Sequence, residues 1–214
     1  MLRQSITRNS VLLALFAVCT TVLIVGTHLL TRDEIALQIR KAEEKALLQI
    51  VPRERHDNSM LDDTLPVGPG ADGLGLRADK RIYLARVDAR VVAAIIPVTA
   101  PDGYSGDIDM IVGVNSDGSV AGVRVLSHKE TPGLGDKVDL RKSPWVLDFD
   151  GRALGDPGDS GWAVKKDDGV FDQFTGATIT PRSVVAAVYR VLQYAAANRT
   201  TIFGAAAPTT GGEA

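Results

Sequence analysis

Hydrophobic and polar positions along the chain first predict a membrane anchor. Residues 10–30 form a run of 21 residues without a charged side chain. As an α-helix, such a run extends about 31 Å, close to the thickness of the hydrocarbon core of a bilayer. A cleaved signal peptide is the alternative, but its apolar region is shorter and ends at a small-residue site, which is not evident after residue 30. We therefore expect a short N-terminal segment, 1–9, and a transmembrane helix at 10–30.

Charged residues at its two ends indicate the orientation of this anchor. Arg3 and Arg8 precede the apolar run, whereas Arg32, Asp33 and Glu34 follow it with a net negative charge. Because basic residues are enriched on the cytoplasmic side of membrane spans, the N-terminus is predicted to be cytoplasmic. In a bacterium, the remaining chain would then be periplasmic and held at the inner membrane.

An amphipathic stalk helix is predicted at residues 31–52. Charged side chains cover one face, and apolar residues recur on the other at spacings of three and four: Ile35, Ile39, Ala42, Ala46 and Ile50. We expect this helix to continue the anchor and to end before Pro52, because proline does not fit a helix interior. Its apolar face suits packing on the chain's own domain and packing on membrane partners equally well.

Strand patterns dominate the next part of the chain. Residues 53–80 are rich in Asp, Gly and Pro and are predicted to be a loop. Four strands are then predicted at 81–87, 91–99, 107–114 and 120–126. A turn at 115–119 would join the last two strands as a hairpin. A second hairpin is expected around 167–169, between short strands at 162–165 and 170–172.

A helix is predicted near the C-terminal end. Apolar residues recur at helical spacing over 181–197, with Thr180 suited to the N-cap position and Pro181 to the first helical position. The fold class is therefore α+β: an N-terminal transmembrane helix followed by an antiparallel-sheet domain with few helices, at residues 81–198. Residues 199–214 are expected to form a flexible tail.

Composition and charge exclude several classes of function. Once Arg3 and Arg8 are set aside, 22 Lys plus Arg stand against 26 Asp plus Glu, so the part after residue 31 carries a formal charge of −4. Nucleic-acid binding relies on a basic surface and is not expected. One cysteine, Cys19, allows no disulfide within the chain, and the three dispersed histidines do not form a metal-binding pattern.

Two motif-like segments are better explained as turns. Residues 68–73 satisfy Gly-x-Gly-x-x-Gly, but they neither follow a predicted strand nor open a helix, as a dinucleotide site requires. Residues 158–161, Gly-Asp-Ser-Gly, resemble the surroundings of a serine-protease nucleophile, yet no histidine and acid are placed to complete a triad. We expect no catalytic residues in either segment.

Two other segments suit a phosphorylated, planar ligand. Residues 175–178, Thr-Gly-Ala-Thr, place small side chains and hydroxyls near a helix start, where free N–H groups and the helix dipole attract phosphate. The loop 128–137 contains Gly133 and Gly135, which permit positive φ, after the stiff Pro132. By their residues alone, both segments could be ordinary turns, and the aromatic side chains between them could simply fill a core.

The residues in and around these segments resemble a known family. Residues 172–178, Asp-Gln-Phe-Thr-Gly-Ala-Thr, match the flavinylation motif D-x-x-(S/T)-G-A-T, in which a flavin transferase joins FMN to the last threonine. Together with residues 103–114, 128–137 and 162–185, they make the chain similar to the G subunits of Rnf ion-translocating electron-transport complexes. A more distant similarity is to the C subunit of the sodium-translocating NADH:quinone oxidoreductase. The resemblance extends from the anchor to about Ala197.

This resemblance implies an FMN-binding domain and its site residues. Thr178 would carry one covalent FMN per chain through a phosphoester, which makes the chain a phosphoprotein. Thr175, Gly176 and Ala177 would form the recognition loop of that threonine, and Asp172 would be the acidic residue of the motif. The second loop would contact the flavin through Glu130, Thr131, Gly133, Leu134 and Gly135. Trp162 and Lys165 are further candidates for cofactor contacts.

The resemblance also implies a function. The chain would be a membrane-anchored flavoprotein subunit of an ion-translocating oxidoreductase, a translocase in which its FMN carries electrons between redox centres in ferredoxin- and NADH-linked electron transport. Its partners would be the other membrane subunits of the complex and, during maturation, a flavin transferase. The alternative is a membrane-tethered periplasmic binding or assembly module without a redox cofactor.

Overall fold

The computed structural model describes residues 2–205 of the chain, with side chains from residue 9 onward. Its helices and strands follow the order α1 (Leu2–Leu48), β1 (Thr64–Val67), β2 (Lys80–Val87), β3 (Arg90–Gly103), β4 (Gly106–Asn115), β5 (Val120–Ser127), α2 (Ile179–Ala197) and α3 (Arg199–Phe203). Short 3-10 turns occur at Arg53–Arg55, Gly135–Val138, Pro144–Phe149, Asp159–Gly161 and Lys165–Asp167. The α+β class predicted from the sequence is confirmed.

One continuous helix, α1, contains the apolar run and most of the predicted stalk, but it ends at Leu48 instead of continuing to residue 52. Its part from Asn9–Leu48 is long and apolar enough to cross a membrane. The chain divides into two units, residues 1–43 and residues 44–214. In the first unit, the described apolar side chains of the run are exposed, as side chains that face lipid would be.

The end of α1 and the turn that follows it belong to the second unit and pack on its sheet. Leu47, Ile50 and Val51 are buried, in one cluster with side chains from β2, β3 and β4. Gly113 makes room for this contact, because a Cβ there would lie 2.3 Å from Ile50 Cγ2. The end of the predicted stalk therefore packs on its own domain, while Ile39 remains exposed.

The second unit is built on a five-stranded antiparallel meander, in the order β1-β2-β3-β4-β5. In β3 and β4, neighbouring side chains alternate between two faces: Ile96 and Met110 enter the main core, whereas Ile95 and Ile111 join the cluster under the stalk. Both faces of these strands are covered, and this explains why β3 reads as a nearly continuous apolar run rather than as a strict alternation.

The main core lies between the sheet and α2. Val184, Val188 and Leu192 of α2 are buried in the same cluster as the inward-facing side chains of β2 to β5. Five aromatic side chains from the irregular segment between β5 and α2 complete this core: Trp145, Phe149, Trp162, Phe171 and Phe174. The aromatic residues between the two candidate loops therefore fill a core.

Several local predictions differ from the structure. The segment 53–80, predicted to be a loop, contains the edge strand β1, which pairs with β2 through Leu65 and Ile82. Its pattern is short and interrupted by Pro66, which an edge strand tolerates because no ladder hydrogen bond is needed on the open side. Around 167–169 there is a 3-10 turn and one isolated bridge, Val164 to Phe171, instead of a two-stranded hairpin.

The predicted tail begins with a short helix. Residues 199–203 form α3, which buries Ile202 in the main core. A five-residue helix is too short for a hydrophobic period to reveal it in the sequence. Residues 206–214 of the predicted tail lie outside the described residues.

Helix α2 begins two residues earlier than predicted. Thr178 is the N-cap residue, with φ −79° and ψ −27°, and its side chain makes no capping hydrogen bond. Thr180, predicted to be the cap, lies in the first turn, and its hydroxyl donates to Glu130 Oε2 at 2.5 Å. Pro181 is the third helical residue, where its missing N–H breaks no intrahelical bond. Thr178 therefore stands at the mouth of the helix.

Candidate functional site

A pocket of about 210 Å³ lies where the start of α2 meets the loop after β5. A third wall comes from the turn between β3 and β4. The lining residues are Tyr104, Glu130, Thr131, Leu134, Gly135, Gly176, Ala177, Thr178, Ile179 and Thr180. The two segments that the sequence singled out therefore form one site.

Glu130 connects the three walls of this pocket. Its side chain is 5% exposed, and its carboxylate accepts hydrogen bonds from the Ser105 N–H at 2.9 Å and from Thr180 Oγ1 at 2.5 Å. Its own N–H donates to His128 Nδ1 at 3.1 Å. Because a buried carboxylate is strongly destabilising unless it is hydrogen-bonded, these contacts hold the turn, the loop and the helix start together.

Gly135 permits the close packing around Glu130. A Cβ at this position would lie 2.7 Å from Glu130 Oε2 and 2.8 Å from Thr180 Oγ1, closer than real Cβ contacts come. The glycine is therefore required by space, rather than by the positive φ that the sequence suggested. Gly133 does have a positive φ, +79°, and its N–H donates to Asp136 Oδ1 at 2.8 Å, so it shapes the loop without lining the pocket.

Thr178 presents a hydroxyl and a set of unused backbone donors to the pocket. Its side chain is half-buried, and none of the hydrogen bonds described for residues 9–205 involves its hydroxyl. The N–H groups of Thr178, Ile179 and Thr180 precede the intrahelical ladder, and none has a described backbone acceptor outside it. Gly176, with φ +81°, turns the chain into the helix at this point.

These groups are suited to bind a phosphate. The N–H groups and the positive end of the helix dipole both favour an anion at the mouth of α2. Among the described residues, no lysine or arginine lines the pocket. Arg182, in the first turns of α2, is paired with Asp167 at 2.5 Å, and this hydrogen bonding holds the pKa of the Asp167 carboxyl below its usual range. Backbone donors are therefore the groups that would hold a phosphate here.

Some predicted site residues lie outside the pocket lining. Asp172 and Lys165 form an exposed ion pair, with Nζ and Oδ1 2.7 Å apart, and Thr175 is exposed just before Gly176. Trp162 is part of the aromatic core, where it packs on Phe149, Phe171 and Tyr189. The structure thus separates a pocket wall, Gly176 to Thr178, from an exposed approach to it that contains Asp172 and Thr175.

Sequence reasoning misses three lining residues: Tyr104, Ile179 and Thr180. The local sequence around Thr180 predicts a capping role rather than a place in the pocket lining. Ile179 lies between Thr178 and Thr180, whose hydroxyls are the more obvious candidates for contact with a ligand. Tyr104 has a usable signal, since it stands between Gly103 and Gly106 at the tip of a hairpin, where a large aromatic side chain has no core to enter.

Comparisons with known proteins identify the relatives of this chain. Residues 103–193 match the family model of the FMN-binding domain, and residues 1–50 match that of the RnfG N-terminal region. The G subunit of the ion-translocating oxidoreductase complex of Pseudomonas aeruginosa is 50% identical over 92% of this chain and 92% of its own. The protein of the same name from Pseudoalteromonas atlantica is 48% identical over 95% of this chain and 94% of its own.

A solved structure was also found to be similar. It is the C subunit of the Na(+)-translocating NADH-quinone reductase from Parabacteroides distasonis, with a TM-score of 0.47 and 20% identity, over 63% of this chain and 75% of that one.

The sequence relatives share about half of their residues with this chain over nearly its whole length. The chain therefore belongs to the family of G subunits of ion-translocating oxidoreductase complexes, and it contains an FMN-binding domain.

Proposed function

We propose that this protein carries FMN covalently, as a phosphoester on Thr178, and passes electrons through it within an ion-translocating oxidoreductase complex. The observation that carries the proposal is the position of Thr178. This residue is the N-cap of α2 and lines the pocket, and the first N–H groups of the helix have no described acceptors. A phosphate esterified there would receive hydrogen bonds and the favourable field of the helix dipole.

Formation of this ester needs an activated donor. The new bond joins Thr178 Oγ1 to the flavin phosphate, and the hydroxyl proton is released. If the donor is a flavin dinucleotide, its phosphoanhydride bond breaks and a nucleoside monophosphate leaves, so the chain gains FMN less one water. The proposed catalyst of this step is a separate flavin transferase.

The exposed approach to Thr178 suits recognition by such an enzyme. Asp172 and Thr175 are exposed, and Asp172 is held by its ion pair with Lys165. A transferase would therefore be able to contact these residues without unfolding the domain. We propose that Asp172 and Thr175 serve this recognition, whereas Glu130 and Gly135 shape the finished pocket.

After attachment, the chain positions the cofactor and tunes its surroundings. FMN supplies reversible electron transfer when it is bound. Thr131, Leu134 and Ala177 would contact it from the pocket walls, and the buried Glu130 would keep those walls at a fixed separation. The electron donors and acceptors would be redox centres of the other membrane subunits.

We further propose that residues 10–30 of α1 span the bacterial inner membrane. Arg3 and Arg8 before this segment favour a cytoplasmic N-terminus, which places the FMN-binding domain in the periplasm. Residues 1–9 would be cytoplasmic and residues 31–52 the stalk. A covalent bond would prevent loss of the cofactor in a compartment from which free FMN can diffuse away.

Three variants test the attachment site. The full chain is expressed with a flavin transferase, and intact mass and in-gel flavin fluorescence are measured for Thr178→Ala, Thr178→Ser and Thr175→Ala. Thr178→Ala should lose the added mass and the fluorescence, while Thr178→Ser keeps a hydroxyl and should retain some of both. Thr175→Ala should lower the yield without moving the site. Full modification of Thr178→Ala would contradict the proposal, and unmodified wild type would favour a binding module without covalent flavin.

A further inference from the structure

We infer that Tyr104 forms an aromatic face for the isoalloxazine ring of FMN at the rim of the pocket. The inference deepens the proposed function and rests on it, because it needs flavin at this site. Nothing in the sequence motif assigns a role to Tyr104, which lies 74 residues before Thr178 and on a different element.

The pocket has a polar base and an apolar rim. Glu130 and Thr180 are buried and Thr178 is half-buried, so these oxygen-bearing side chains form the less exposed part of the lining, together with the start of the helix and its unused N–H groups. The rim is formed by large apolar side chains that are unusually open to solvent: Tyr104 is 68% exposed, Ile179 46% and Leu134 42%. FMN has the same division, with a phosphate and hydroxyl groups at one end and a planar, largely apolar ring system at the other.

The size of the pocket places the ring near this rim. A pocket that encloses most of a drug-sized ligand has a volume of about 300–1,000 Å³. The volume here is only about 210 Å³, too small for all of FMN. With the phosphate fixed on Thr178 at the helix mouth, the part left outside would be the ring. Exposed apolar side chains at a pocket rim are then free to cover it.

The turn that carries Tyr104 is held in place from below. The Ser105 N–H donates to Glu130 Oε1 at 2.9 Å, so the carboxylate at the base of the pocket also anchors this turn. Gly103 and Gly106 approach so closely that a Cβ on Gly103 would lie 2.2 Å from the Gly106 carbonyl oxygen. The backbone at Tyr104 is therefore fixed, while its ring makes little contact with the protein.

The fold gains little from this exposed ring, so Tyr104 can be replaced without loss of the core. A phenol in contact with an excited flavin quenches its fluorescence: one electron passes from the phenol to the excited ring and then returns, with no net reaction. Phenylalanine has a similar ring and can stack in the same way, but it is a much poorer electron donor. The two properties, contact and quenching, can therefore be separated by substitution.

The experiment uses the FMN-loaded full chain and the variants Tyr104→Phe and Tyr104→Ala. A matched control is Tyr194→Phe, since Tyr194 is half-buried on α2 and lines a different groove, with Asp72 and Gly73. The flavin fluorescence lifetime and the bimolecular rate constant of its quenching by iodide are measured. We expect a several-fold longer lifetime in both Tyr104 variants, a larger iodide rate constant only in Tyr104→Ala, and no change of either quantity in Tyr194→Phe.

The outcomes separate this inference from the proposed function. Flavin-loaded Tyr104 variants with the lifetime and the iodide quenching of the wild type would overturn the inference alone. The inference would also be overturned if Tyr194→Phe lengthened the flavin lifetime as much as the Tyr104 variants do, because the effect would then not be local to the pocket. Wild-type protein that carries no flavin at all would overturn the proposed function and this inference with it.

Discussion

Glu130 accepts a hydrogen bond on Oε2 from Thr180 Oγ1, at 2.5 Å, and this bond joins two segments that are 50 residues apart in the chain. Both side chains are buried, and the same carboxylate binds the turn between β3 and β4. The mouth of α2, the loop after β5 and this turn are therefore fixed relative to one another. The pocket is preorganised by a polar contact that no local sequence motif contains.

Removal of the Thr180 hydroxyl should destabilise the domain. Thr180→Val keeps the shape of the side chain but leaves a buried carboxylate oxygen without its donor, at a cost of about 1.5–3 kcal/mol. Thr180→Ser keeps the donor and should cost less. Denaturant unfolding of the full chain in detergent measures both. Equal stability of Thr180→Val and Thr180→Ser would show that the hydrogen bond contributes nothing.

Gly135→Ala should damage the pocket more than Gly133→Ala. The first places a Cβ against Glu130 and Thr180, and such overpacking costs about 1–3 kcal/mol and displaces the carboxylate. The second adds a Cβ in open space, with only the strain of positive φ, about 1–2 kcal/mol. The yield of FMN-modified protein, measured by intact mass, should therefore fall in Gly135→Ala and stay close to wild type in Gly133→Ala. The reverse order would contradict this account of the loop.

The ion pair of Asp63 and Arg86 should be important for stability. Arg86 Nε lies 2.6 Å from Asp63 Oδ2, and both side chains are almost completely buried. Asp63→Ala would leave a buried guanidinium without its carboxylate, which costs about 3–5 kcal/mol. The exposed pair of Arg77 and Asp107 offers a control, and Asp107→Ala should change the free energy of unfolding little. Similar losses of stability in Asp63→Ala and Asp107→Ala would contradict the burial of the Asp63–Arg86 pair.

The ionisation of Asp139 should make the free energy of unfolding depend on pH in the acid range. Hydrogen bonds from Arg141 hold the pKa of the Asp139 carboxyl below its ordinary value. A carboxyl with a lowered pKa stabilises the folded state above its unfolded pKa, about 3.9, and this contribution disappears as the pH falls through the folded pKa. Arg141→Met should therefore be less stable than wild type at neutral pH, and the difference should shrink below about pH 4. A difference that is constant with pH would rule out this linkage.

The strands and the site differ in how far the sequence predicts them. Alternation and continuous apolar runs predict β2 to β5 because these strands are long and their inward side chains pack against α2 or the stalk. The edge strand β1 escapes prediction because four residues with a central Pro66 give no period. Local sequence favours Thr180 as the cap of α2, whereas the tertiary contact with Glu130 takes that hydroxyl away.

The residues of the site divide in the same way. Thr178 and its small neighbours can be identified from the motif, since a phosphate at a helix start needs small residues and free N–H groups in sequence. Tyr104 reaches the pocket only through the hairpin that joins β3 to β4, and Trp162 is drawn into the core by three aromatic neighbours. Residues nearby in the chain determine neither the place of Tyr104 at the pocket nor the place of Trp162 in the core.

Covalent attachment of FMN to Thr178 is the central claim, and peptide mapping tests it most directly. The protein is purified from its native membrane and digested, and the peptide that contains residues 172–182 is sequenced by mass spectrometry. We predict that this peptide carries the mass of FMN less one water, located on Thr178. A fully unmodified peptide, or a flavin located on Thr175 or another residue, would contradict the claim.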